Sequence, residues 1–442
     1  MDETAMRHCI ERKRNGKPLS ASEWDAIVDG FMEGRIDEAQ MAALFMACVW
    51  RGMTFEEAHA LTDAMVRSGE TVTFDRSRGI VVDKHSSGGV SDIVSLAAVP
   101  LAAACGARVA KLSGRALGHT GGTIDKLEAI PGFNAALSLD AFVRQVERVG
   151  CAIAAQTQAL VPADKRIYNL RDRTGTVPSM GLIAASIVSK KIACGAHAIV
   201  FDVKTGPASF TPQPEQAREL ARWVVEICKG FGREAIAFVT DMHQPLGRTV
   251  GTGIEIVEAR DLLRCHGEPF ESLRTGSVEP PPSLARGGRA IELTLKITAA
   301  LLDASAIAGG QERVRQALND GSGYAKLLEM VEAQGASRSA LEGMELDAKP
   351  LTVKAAHSGF VHAMDVVHLG NAGRRLCQHD KLGGLFICAQ IGDRVEAGQP
   401  LARVYGADKE HVRNLEASFK IAATPAEPPP LIYDVIKPAD SA

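Results

Sequence analysis

The feature that most constrains the fold is an alternation of short apolar runs with helical stretches, which begins near residue 78. We predict four strands in this part of the chain: Gly79–Asp83, Arg108–Leu112, Ala198–Lys204 and Ala235–Asp241. Helical segments such as 215–229 separate them. Strands that alternate with helices predict a mostly parallel sheet that is covered by helices. We therefore expect a large, mixed α/β domain over residues 71–340.

The first 70 residues predict a small, all-helical domain. A Ser, Asp or Thr is followed three residues later by Glu or Gln at Ser20, Asp37 and Thr54, and this spacing is typical of helix N-termini. After the first two of these caps, apolar residues recur at i, i+3, i+4 and i+7, along one helical face. A segment this short cannot bury these faces alone. We expect it to pack on two helical stretches at 163–194 or on a second subunit.

A third segment, residues 345–442, predicts a C-terminal α+β lobe. It contains SGFVHAMD at 358–365 and IGDRVEAGQPL at 391–401, and the GDxVxxGxPL pattern of the second resembles the hairpin of barrel-sandwich domains that carry biotin or lipoate. No lysine lies at a hairpin tip in a context suited to modification, so we interpret this barrel-sandwich-like lobe as structural. The proline-rich tail from Ala426 predicts an extended terminal strand or arm.

Composition excludes several classes of protein. The formal net charge is −3 with 23% charged residues, so nothing in the charge balance predicts a nucleic-acid or anionic membrane partner. The nine cysteines are odd in number and form no CxxC pair, which argues against a disulfide framework or a zinc site. No apolar run approaches the ~18 residues of a spanning helix, and no apolar signal segment opens the chain. We expect a cytoplasmic protein without a membrane partner.

A glycine-rich loop follows the first predicted strand, in the sequence DKHSSGGVSD at 83–92. Glycines let backbone N–H groups approach an anion, and the N-terminus of the following helix adds positive potential. Lys84 and Ser86 add side-chain donors. The loop matches neither common nucleotide-binding fingerprint, so an ordinary strand-to-helix turn remains the alternative to a phosphate site.

A second loop rich in Gly, Ser and Thr follows the next predicted strand, at 111–123 (KLSGRALGHTGGT). In open α/β sheets, ligands bind at the edge where the carboxyl ends of the strands meet. Two such loops at one edge favour an anion site over two ordinary turns. The pattern does not identify the anion.

A third group of polar residues lies in the 163–194 helices. Ser186 and Lys190 are spaced i, i+4 and therefore share a helix face, and Arg171 lies in the preceding helical stretch. Two cations and a hydroxyl suit the oxygens of a planar base that leaves as an anion. The alternative is solvent-exposed charge.

Four segments together resemble the thymidine and pyrimidine-nucleoside phosphorylases, and the resemblance covers nearly the whole chain. They are DKHSSGGVSD, KLSGRALGHTGGTIDKLEAIPGF, PADKRIYNLRDRTGTV and SIVSKKIACGAHAIVFDVKTG. The resemblance implies a pentosyltransferase of the glycosyltransferase class. It would convert uridine, thymidine or deoxyuridine reversibly to the free base and (deoxy)ribose 1-phosphate, with inorganic phosphate as co-substrate and no organic cofactor. It also implies a homodimer built through the helical domain.

The resemblance further implies the site residues, position by position. Phosphate is expected to meet Lys84, Ser86, Ser95, Lys111, Ser113 and Thr123. The pyrimidine is expected to meet Arg171, Ser186, Lys190 and Phe210. The expected catalytic residues are His85, Arg171 and Lys190, with His85 approaching the base O2.

The first loop departs from the pattern of relatives, which usually have HSTGGVGD where this chain has HSSGGVSD. In broad-specificity relatives a potassium ion lies near this loop, held partly by a hydroxyl at the position of Ile93. Ile93 offers only its backbone carbonyl, so potassium binding stays open here. The remaining candidate ligands are the carbonyls of Ser91, Leu246 and Thr249 and the carboxylate of Glu258.

Two features bear on substrate preference. Strict thymidine phosphorylases usually have Met at the position of Lys111, and relatives that accept both uridine and thymidine usually have Lys. Lys111 favours the broad class, as do VKTG at 203–206 and QPLG at 244–247. In contrast, Pro207 stiffens a loop that is GAGAF-like in relatives, which indicates a changed substrate scope.

Several alternatives therefore stay open. The enzyme alternatives are a strict thymidine phosphorylase and a phosphorylase of a specialised or modified nucleoside. A phosphoribosyltransferase, which uses Mg²⁺ and a different glycine-rich loop, is disfavoured by the sequence at 83–92. A catalytically silent scaffold is disfavoured by the intact set of lysine, histidine, arginine and serine residues.

Overall fold

A computed structural model describes residues 1–115, 121–264, 288–346, 349–406 and 414–438. Within these ranges the predicted fold class is confirmed. A helical N-terminal unit precedes a large α/β unit with a mostly parallel sheet, and small antiparallel sheets follow toward the C-terminus. No helix of the described ranges is long and apolar enough to span a bilayer.

The helical unit is capped as the sequence predicts. Its first helices are α1 (Glu3–Arg14), α2 (Ala21–Met32), α3 (Glu38–Arg51) and α4 (Phe55–Arg67). Ser20, Asp37 and Thr54 each form a complete capping box, which satisfies N–H groups that a helix start leaves unpaired. Two later helices, α8 (Pro162–Thr174) and α9 (Met180–Ala193), pack on α3 and α4. The 163–194 stretch is thus the packing partner of the N-terminal helices.

The main sheet has six strands in the order β13-β5-β4-β1-β2-β3. They are β1 (Val81–Ser86), β2 (Arg108–Ser113), β3 (Cys151–Ala155), β4 (Ala198–Thr205), β5 (Glu234–Asp241) and β13 (Ile432–Ile436). The first five pair in parallel, and β13 adds an antiparallel edge beside β5. The tail therefore forms the terminal strand that its composition predicts.

Both faces of this sheet are buried, as is usual for parallel sheets. The covering helices are α5 (Val94–Ala104), α6 (Thr123–Leu127), α7 (Leu139–Val149), α10 (Pro214–Gly230), α11 (Gly253–Arg264), α12 (Arg289–Ala304), α13 (Gly310–Asn319), α14 (Ser322–Ala333) and α15 (Arg338–Glu342). One apolar cluster joins Val82 and Val200 to α5, α11, α12 and α14. The other joins Val81 and Phe201 to α9 and α10. Successive strand residues therefore face different cores.

The described part of the C-terminal lobe contains two small antiparallel sheets and one α-helix. Its elements are β6 (Thr249–Val250), β7 (Leu351–Lys354), β8 (Gly359–Met364), α16 (Val366–His379), β9 (Gly384–Ile387), β10 (Arg394–Val395), β11 (Pro400–Tyr405) and β12 (Phe419–Ala422). The sheets have the orders β10-β8-β12 and β6-β9-β11-β7. Because β6 directly follows the 244–247 segment, the lobe is anchored beside the carboxyl edge of the main sheet.

Candidate active site

The end of β1 separates two groups of polar side chains. Side chains on a strand point alternately to its two faces, so Lys84 and Ser86 share the face of Val82. Asp83 and His85 share the opposite face, which lies against α9. The carboxyl end of β1 thus presents a lysine and a serine to the glycine-rich loop, and a histidine to the helical unit.

On the loop side, Lys84 lies in a fully buried cluster. Its Nζ is 3.0 Å from Oδ2 of Asp202 on the neighbouring β4. The Nζ of Lys204 is 2.8 Å from the same oxygen. The hydroxyl of Thr240, on β5, donates to Oδ1 of Asp202 at 2.6 Å. All four side chains have no solvent exposure.

The glycine-rich loop supplies a second carboxylate to this cluster. The Ser86 hydroxyl donates to Oδ2 of Asp92 at 2.5 Å, and that oxygen is 3.9 Å from the ammonium groups of both Lys84 and Lys204. Burial alone would raise the pKa of Asp92, but the nearby lysines and the Ser86 hydrogen bond hold it well below its usual range. Asp92 is therefore ionised and orients the loop against the two lysines.

The second loop brings Lys111 to the same edge. Its Nζ donates to the backbone carbonyl of Lys84 at 2.7 Å. Burial, reinforced by the positive charge of Lys191, lowers the pKa of Lys111 to about 7. Ser113 ends β2 and Thr123 opens α6, and both are half-buried. The loop residues 116–120 between them lie outside the described residues.

Other side chains fix the surroundings of this edge. Ser95 is buried in the first turn of α5. Arg115 is held by ion pairs with Asp125 and Glu128. Lys191 donates to Asp83 at 2.8 Å and to the carbonyl of Leu112 at 2.9 Å, so this lysine holds α9 against the sheet.

On the helical side, Lys190 is held by three hydrogen-bond acceptors. Its Nζ is 2.5 Å from Oδ2 of Asp164 and donates to the carbonyl and the hydroxyl of Ser186, each at 3.0 Å. The side chain is 24% exposed, so the ammonium borders an accessible space. Since the Ser186 hydroxyl accepts from Lys190, its own proton remains available to a ligand.

Arg171 braces the loop that connects α8 to α9. Its guanidinium donates to the carbonyls of Thr176, Val177 and Leu182 at 3.3, 2.7 and 3.1 Å. Burial lowers the pKa of Arg171 to about 10, so the side chain remains charged at neutral pH. Three of its five N–H groups are thus used structurally, and two have no hydrogen bond to the part of the chain that the structure describes.

His85 lies on the helical side of β1, beside Phe201. Its ring meets the ring of Phe201 edge-on, with centroids 5.9 Å apart. Burial, followed by the charges of Lys191, Lys111, Lys84 and Lys190, lowers its pKa well below 6.5. His85 is therefore a neutral imidazole at neutral pH, and it is suited to donate a hydrogen bond rather than to carry a positive charge.

Phe210 lies on the loop that follows β4 and is 49% exposed. This loop begins at Gly206, whose φ is +128°. A Cβ there would lie 2.6 Å from the Met242 carbonyl carbon and 2.8 Å from the His243 backbone nitrogen. Only glycine fits this close approach, so the loop leaves β4 in a fixed direction and presents Phe210 to solvent.

The candidate cation ligands form an oxygen-lined corner behind the glycine-rich loop. A Cβ added to Gly247 would lie 2.6 Å from the Ser91 hydroxyl and 2.7 and 2.8 Å from the two carboxylate oxygens of Glu258. The Ser91 carbonyl already accepts from Ile93 and Gly247, whereas its buried hydroxyl has no hydrogen-bond partner among the described residues. Glu258 accepts from the backbone of Arg248 and from Thr249.

An unpaired buried hydroxyl beside a carboxylate offers the oxygen ligands that hard cations prefer. The Ser91 hydroxyl, rather than the Ser91 carbonyl, is therefore the oxygen that is free to bind a cation. Leu246 also lies at this corner, since its N–H donates to the Val90 carbonyl. In the described ranges, this corner included, no cluster of three or more His, Cys, Asp or Glu side chains is arranged to hold a metal.

The structure adds residues that the sequence reasoning did not select. Asp202, Lys204 and Thr240 surround Lys84, and Lys191 links α9 to the sheet. The sequence does contain a signal for the first two. Asp202 and Lys204 are two residues apart on a strand and therefore share one face, and β4 pairs with β1 so that Asp202 lies opposite Ser86.

Comparison with known proteins places this arrangement in a family. Residues 7–69 match the glycosyl transferase family, helical bundle domain, and residues 78–324 match the glycosyl transferase family, a/b domain. The chain belongs to this glycosyl transferase family.

Relatives cover nearly the whole chain. It is 40% identical to the pyrimidine-nucleoside phosphorylase of Geobacillus stearothermophilus, over 97% of this chain and 98% of the relative. It is 39% identical to the pyrimidine-nucleoside phosphorylase of Bacillus subtilis (strain 168), over the same shares. It is 40% identical to the thymidine phosphorylase of Mycobacterium tuberculosis (strain CDC 1551 / Oshkosh), over 97% of each chain.

A likeness to a solved structure concerns the fold alone. The crystal structure of anthranilate phosphoribosyltransferase from Thermus thermophilus superposes with a TM-score of 0.53. The match covers 74% of this chain and 99% of that one, at 20% identity.

Proposed function

We propose that this protein is a pyrimidine-nucleoside phosphorylase that cleaves uridine, thymidine and deoxyuridine reversibly to base and (deoxy)ribose 1-phosphate. The observation that carries the proposal is the division of polar groups at the end of β1. Lysines and a glycine-rich loop lie on one side, suited to phosphate. The Arg171, Ser186 and Lys190 group lies on the other, suited to a pyrimidine. The names of the relatives support the same reaction.

The loop side serves to position phosphate. Phosphate attacks C1′ of the sugar while the bond from C1′ to N1 of the base breaks, through an oxocarbenium-like transition state. A phosphate dianion needs no deprotonation, so Lys84, Lys111 and the hydroxyls of Ser86, Ser95, Ser113 and Thr123 would align it. The gain is one of proximity and orientation.

The helical side stabilises the leaving group. Negative charge develops on O2, N3 and O4 of the departing pyrimidine, where Lys190 and the two free N–H groups of Arg171 would meet it. One preorganised donor of this kind is typically worth ~3–4 kcal/mol of barrier. Neutral His85 would donate a hydrogen bond to O2, and Ser186 and Phe210 would orient and cover the ring.

Base release decides the proposal. Uridine and thymidine are incubated with the purified protein, with and without inorganic phosphate, and the free bases are separated by chromatography. Release of both bases only with phosphate supports a pyrimidine-nucleoside phosphorylase that accepts both uridine and thymidine. Release from thymidine alone supports the strict thymidine phosphorylase. Release of neither contradicts the proposal and favours a specialised nucleoside or a silent scaffold.

Replacing Lys84 by alanine is expected to raise the KM for phosphate at least tenfold, with a smaller change in the KM for nucleoside. The reason is that Lys84 lies on the loop face of β1, away from the Lys190 group. Initial-rate kinetics with each substrate varied in turn measure both constants. A larger rise in the nucleoside KM would contradict the assignment of the loop to phosphate.

A homodimer through the helical unit is the proposed assembly. Met46 and Trp50 are one turn apart on α3 and are 38% and 80% exposed, an unusual exposure for such large apolar side chains on one face. Trp50→Glu is expected to convert dimers to monomers, because it places a charge in the dimer interface. Light scattering after size exclusion measures the mass. Val435→Glu, at an exposed apolar residue on β13, is the control that should leave the mass unchanged.

Potassium binding is proposed at the oxygen-lined corner behind the loop. The hydroxyl of Ser91, the carboxylate of Glu258 and the backbone carbonyls of Leu246 and Thr249 would hold the ion. When bound, it would supply a fixed positive charge beneath the glycine-rich loop.

A further inference from the structure

Two buried lysines share one carboxylate oxygen at the phosphate side of the site. Lys84 and Lys204 are each within 3.0 Å of Oδ2 of Asp202, and none of the three side chains is exposed. An ammonium group has three N–H donors. Each of these two donates one hydrogen bond to the described residues, and both go to that single oxygen. Four donors of the pair are therefore left over.

Leftover donors of this kind need an explanation, because buried polar groups in native proteins are nearly always hydrogen-bonded. The only other anion within 4 Å of either ammonium, among the described residues, is Asp92, at 3.9 Å from both. Its near oxygen already accepts from Ser86. Two close ammonium groups with free donors, beside a glycine-rich loop, form a cationic pair that suits the oxygens of a tetrahedral anion.

The pair is held rigidly from the side away from the loop. Thr240 fixes the other oxygen of Asp202 at 2.6 Å. The backbone also couples β4 to the loop, because the Lys204 N–H donates to the Ser87 hydroxyl at 2.8 Å and the Ser87 N–H donates to the Asp202 carbonyl at 3.0 Å. Any movement of Asp202 would therefore displace both lysines and the loop together.

We propose that Lys204 is a second phosphate-binding lysine beside Lys84, and that Asp202 is the positioning residue that holds both ammonium groups at the spacing phosphate requires. The inference deepens the proposed function and rests on its assignment of the loop to phosphate. Asp202 itself does not touch phosphate. It acts by fixing the two lysines, and Thr240 acts by fixing Asp202.

Phosphate binding to the full-length protein tests this without nucleoside, by isothermal titration with inorganic phosphate. Lys204→Gln is expected to raise the Kd for phosphate about 10- to 100-fold, as for loss of a hydrogen bond between charged partners. Thr240→Val leaves every charge in place and is expected to raise the Kd for phosphate by a smaller factor. Asp202→Asn is expected to weaken phosphate binding and to move its alkaline limb to lower pH, because Lys204 loses the carboxylate that helps to raise its pKa.

A matched control separates positioning from stability. Lys13 and Glu57 form another buried lysine–carboxylate pair, 2.6 Å apart, on α1 and α4 of the helical unit rather than on the strands of the main sheet. Glu57→Gln is expected to lower the unfolding temperature without changing phosphate affinity. Folded Lys204→Gln protein that binds phosphate as tightly as the wild type would overturn the inference. An equal change in the Kd for phosphate in Thr240→Val and Glu57→Gln would also overturn it.

The outcomes also distinguish this inference from the proposed function. If the wild type releases no base yet binds phosphate, and Lys204→Gln abolishes that binding, the proposed reaction fails and the lysine pair stands. If the wild type releases base only with phosphate, and Lys204→Gln keeps the phosphate KM while only the nucleoside KM rises, the reaction stands and the lysine pair fails.

Discussion

Lys190→Ala is expected to lower kcat/KM for phosphorolysis by ~10²-fold or more, the typical effect of removing one preorganised donor to a developing anion. The ammonium is held by Asp164 and Ser186, so it is already oriented before substrate binds. Charge reaches the base only as the glycosidic bond breaks. The loss should therefore fall mainly on kcat. Steady-state kinetics with uridine and thymidine at saturating phosphate provide the measurement.

Arg171→Ala is expected to cause a loss of the same size, but its interpretation needs a control because Arg171 also braces the loop between α8 and α9. Arg166 is the matched residue. It lies on the same helix, stacks on Phe31 with its guanidinium 4.0 Å from the ring centroid, and donates to backbone carbonyls. Arg166→Ala should reduce stability and leave kcat/KM within about threefold. Near-full activity in Lys190→Ala or Arg171→Ala would refute the leaving-group role.

The architecture was predictable because its signals are local. Capping boxes at Ser20, Asp37 and Thr54 predict helix starts, and apolar runs such as Ala198–Lys204 predict strands. Strand β3 was missed because CAIAA at 151–155 is built of small residues without β-branched enrichment. Its strand character comes from pairing with β2, a contact that lies some 40 residues away in sequence and leaves no local pattern.

The site was predictable in its loops and less so in its buried charges. Glycine-rich loops after strands are visible in sequence, whereas the role of Asp202 depends on which strand lies beside β1. That neighbour is β4, more than 100 residues further along the chain. The structural use of Arg171 was also invisible, because its acceptors are backbone carbonyls and carry no side-chain signature. The roles of Asp202 and Arg171 depend on burial and strand order, which are set by contacts between residues far apart in sequence.

Lys111→Met is expected to lower kcat/KM for uridine about 10- to 100-fold more than kcat/KM for thymidine, and any loss with thymidine then reports the contribution of Lys111 to phosphate alignment. The Lys111 ammonium donates one hydrogen bond to the Lys84 carbonyl, so further N–H groups are available to a ribose 2′-hydroxyl, which thymidine lacks. At pH 6 Lys111 is mostly charged, because its pKa is about 7, and a hydrogen bond to a charged group is worth ~1.5–3 kcal/mol, which corresponds to this range. Lys111→Gln keeps a hydrogen-bond donor without the charge, so its kcat/KM for uridine should lie between those of the wild type and Lys111→Met.

The same substitution is expected to stabilise the protein, and the sign follows from the lowered pKa. Between about pH 7 and the ordinary lysine pKa of 10.5, the unfolded chain holds a proton that folded Lys111 has released. The unfolded state then binds more protons, so wild-type stability rises with pH through this window. Below about pH 7 both states are charged and the full cost of burying the ammonium applies.

Methionine carries no such cost, so Lys111→Met should gain the most stability near pH 6, on the order of a few kcal/mol by the pKa difference, and the gain should shrink as pH rises toward 10. Urea unfolding of both proteins at pH 6 and pH 9 measures it. An equal gain at both pH values would show that Lys111 is not held in a strongly disfavoured charged state. An unchanged ratio of uridine to thymidine activity would separately exclude Lys111 as the group that recognises the ribose hydroxyl. The two measurements together decide whether this chain retains a costly buried lysine because it reads the sugar.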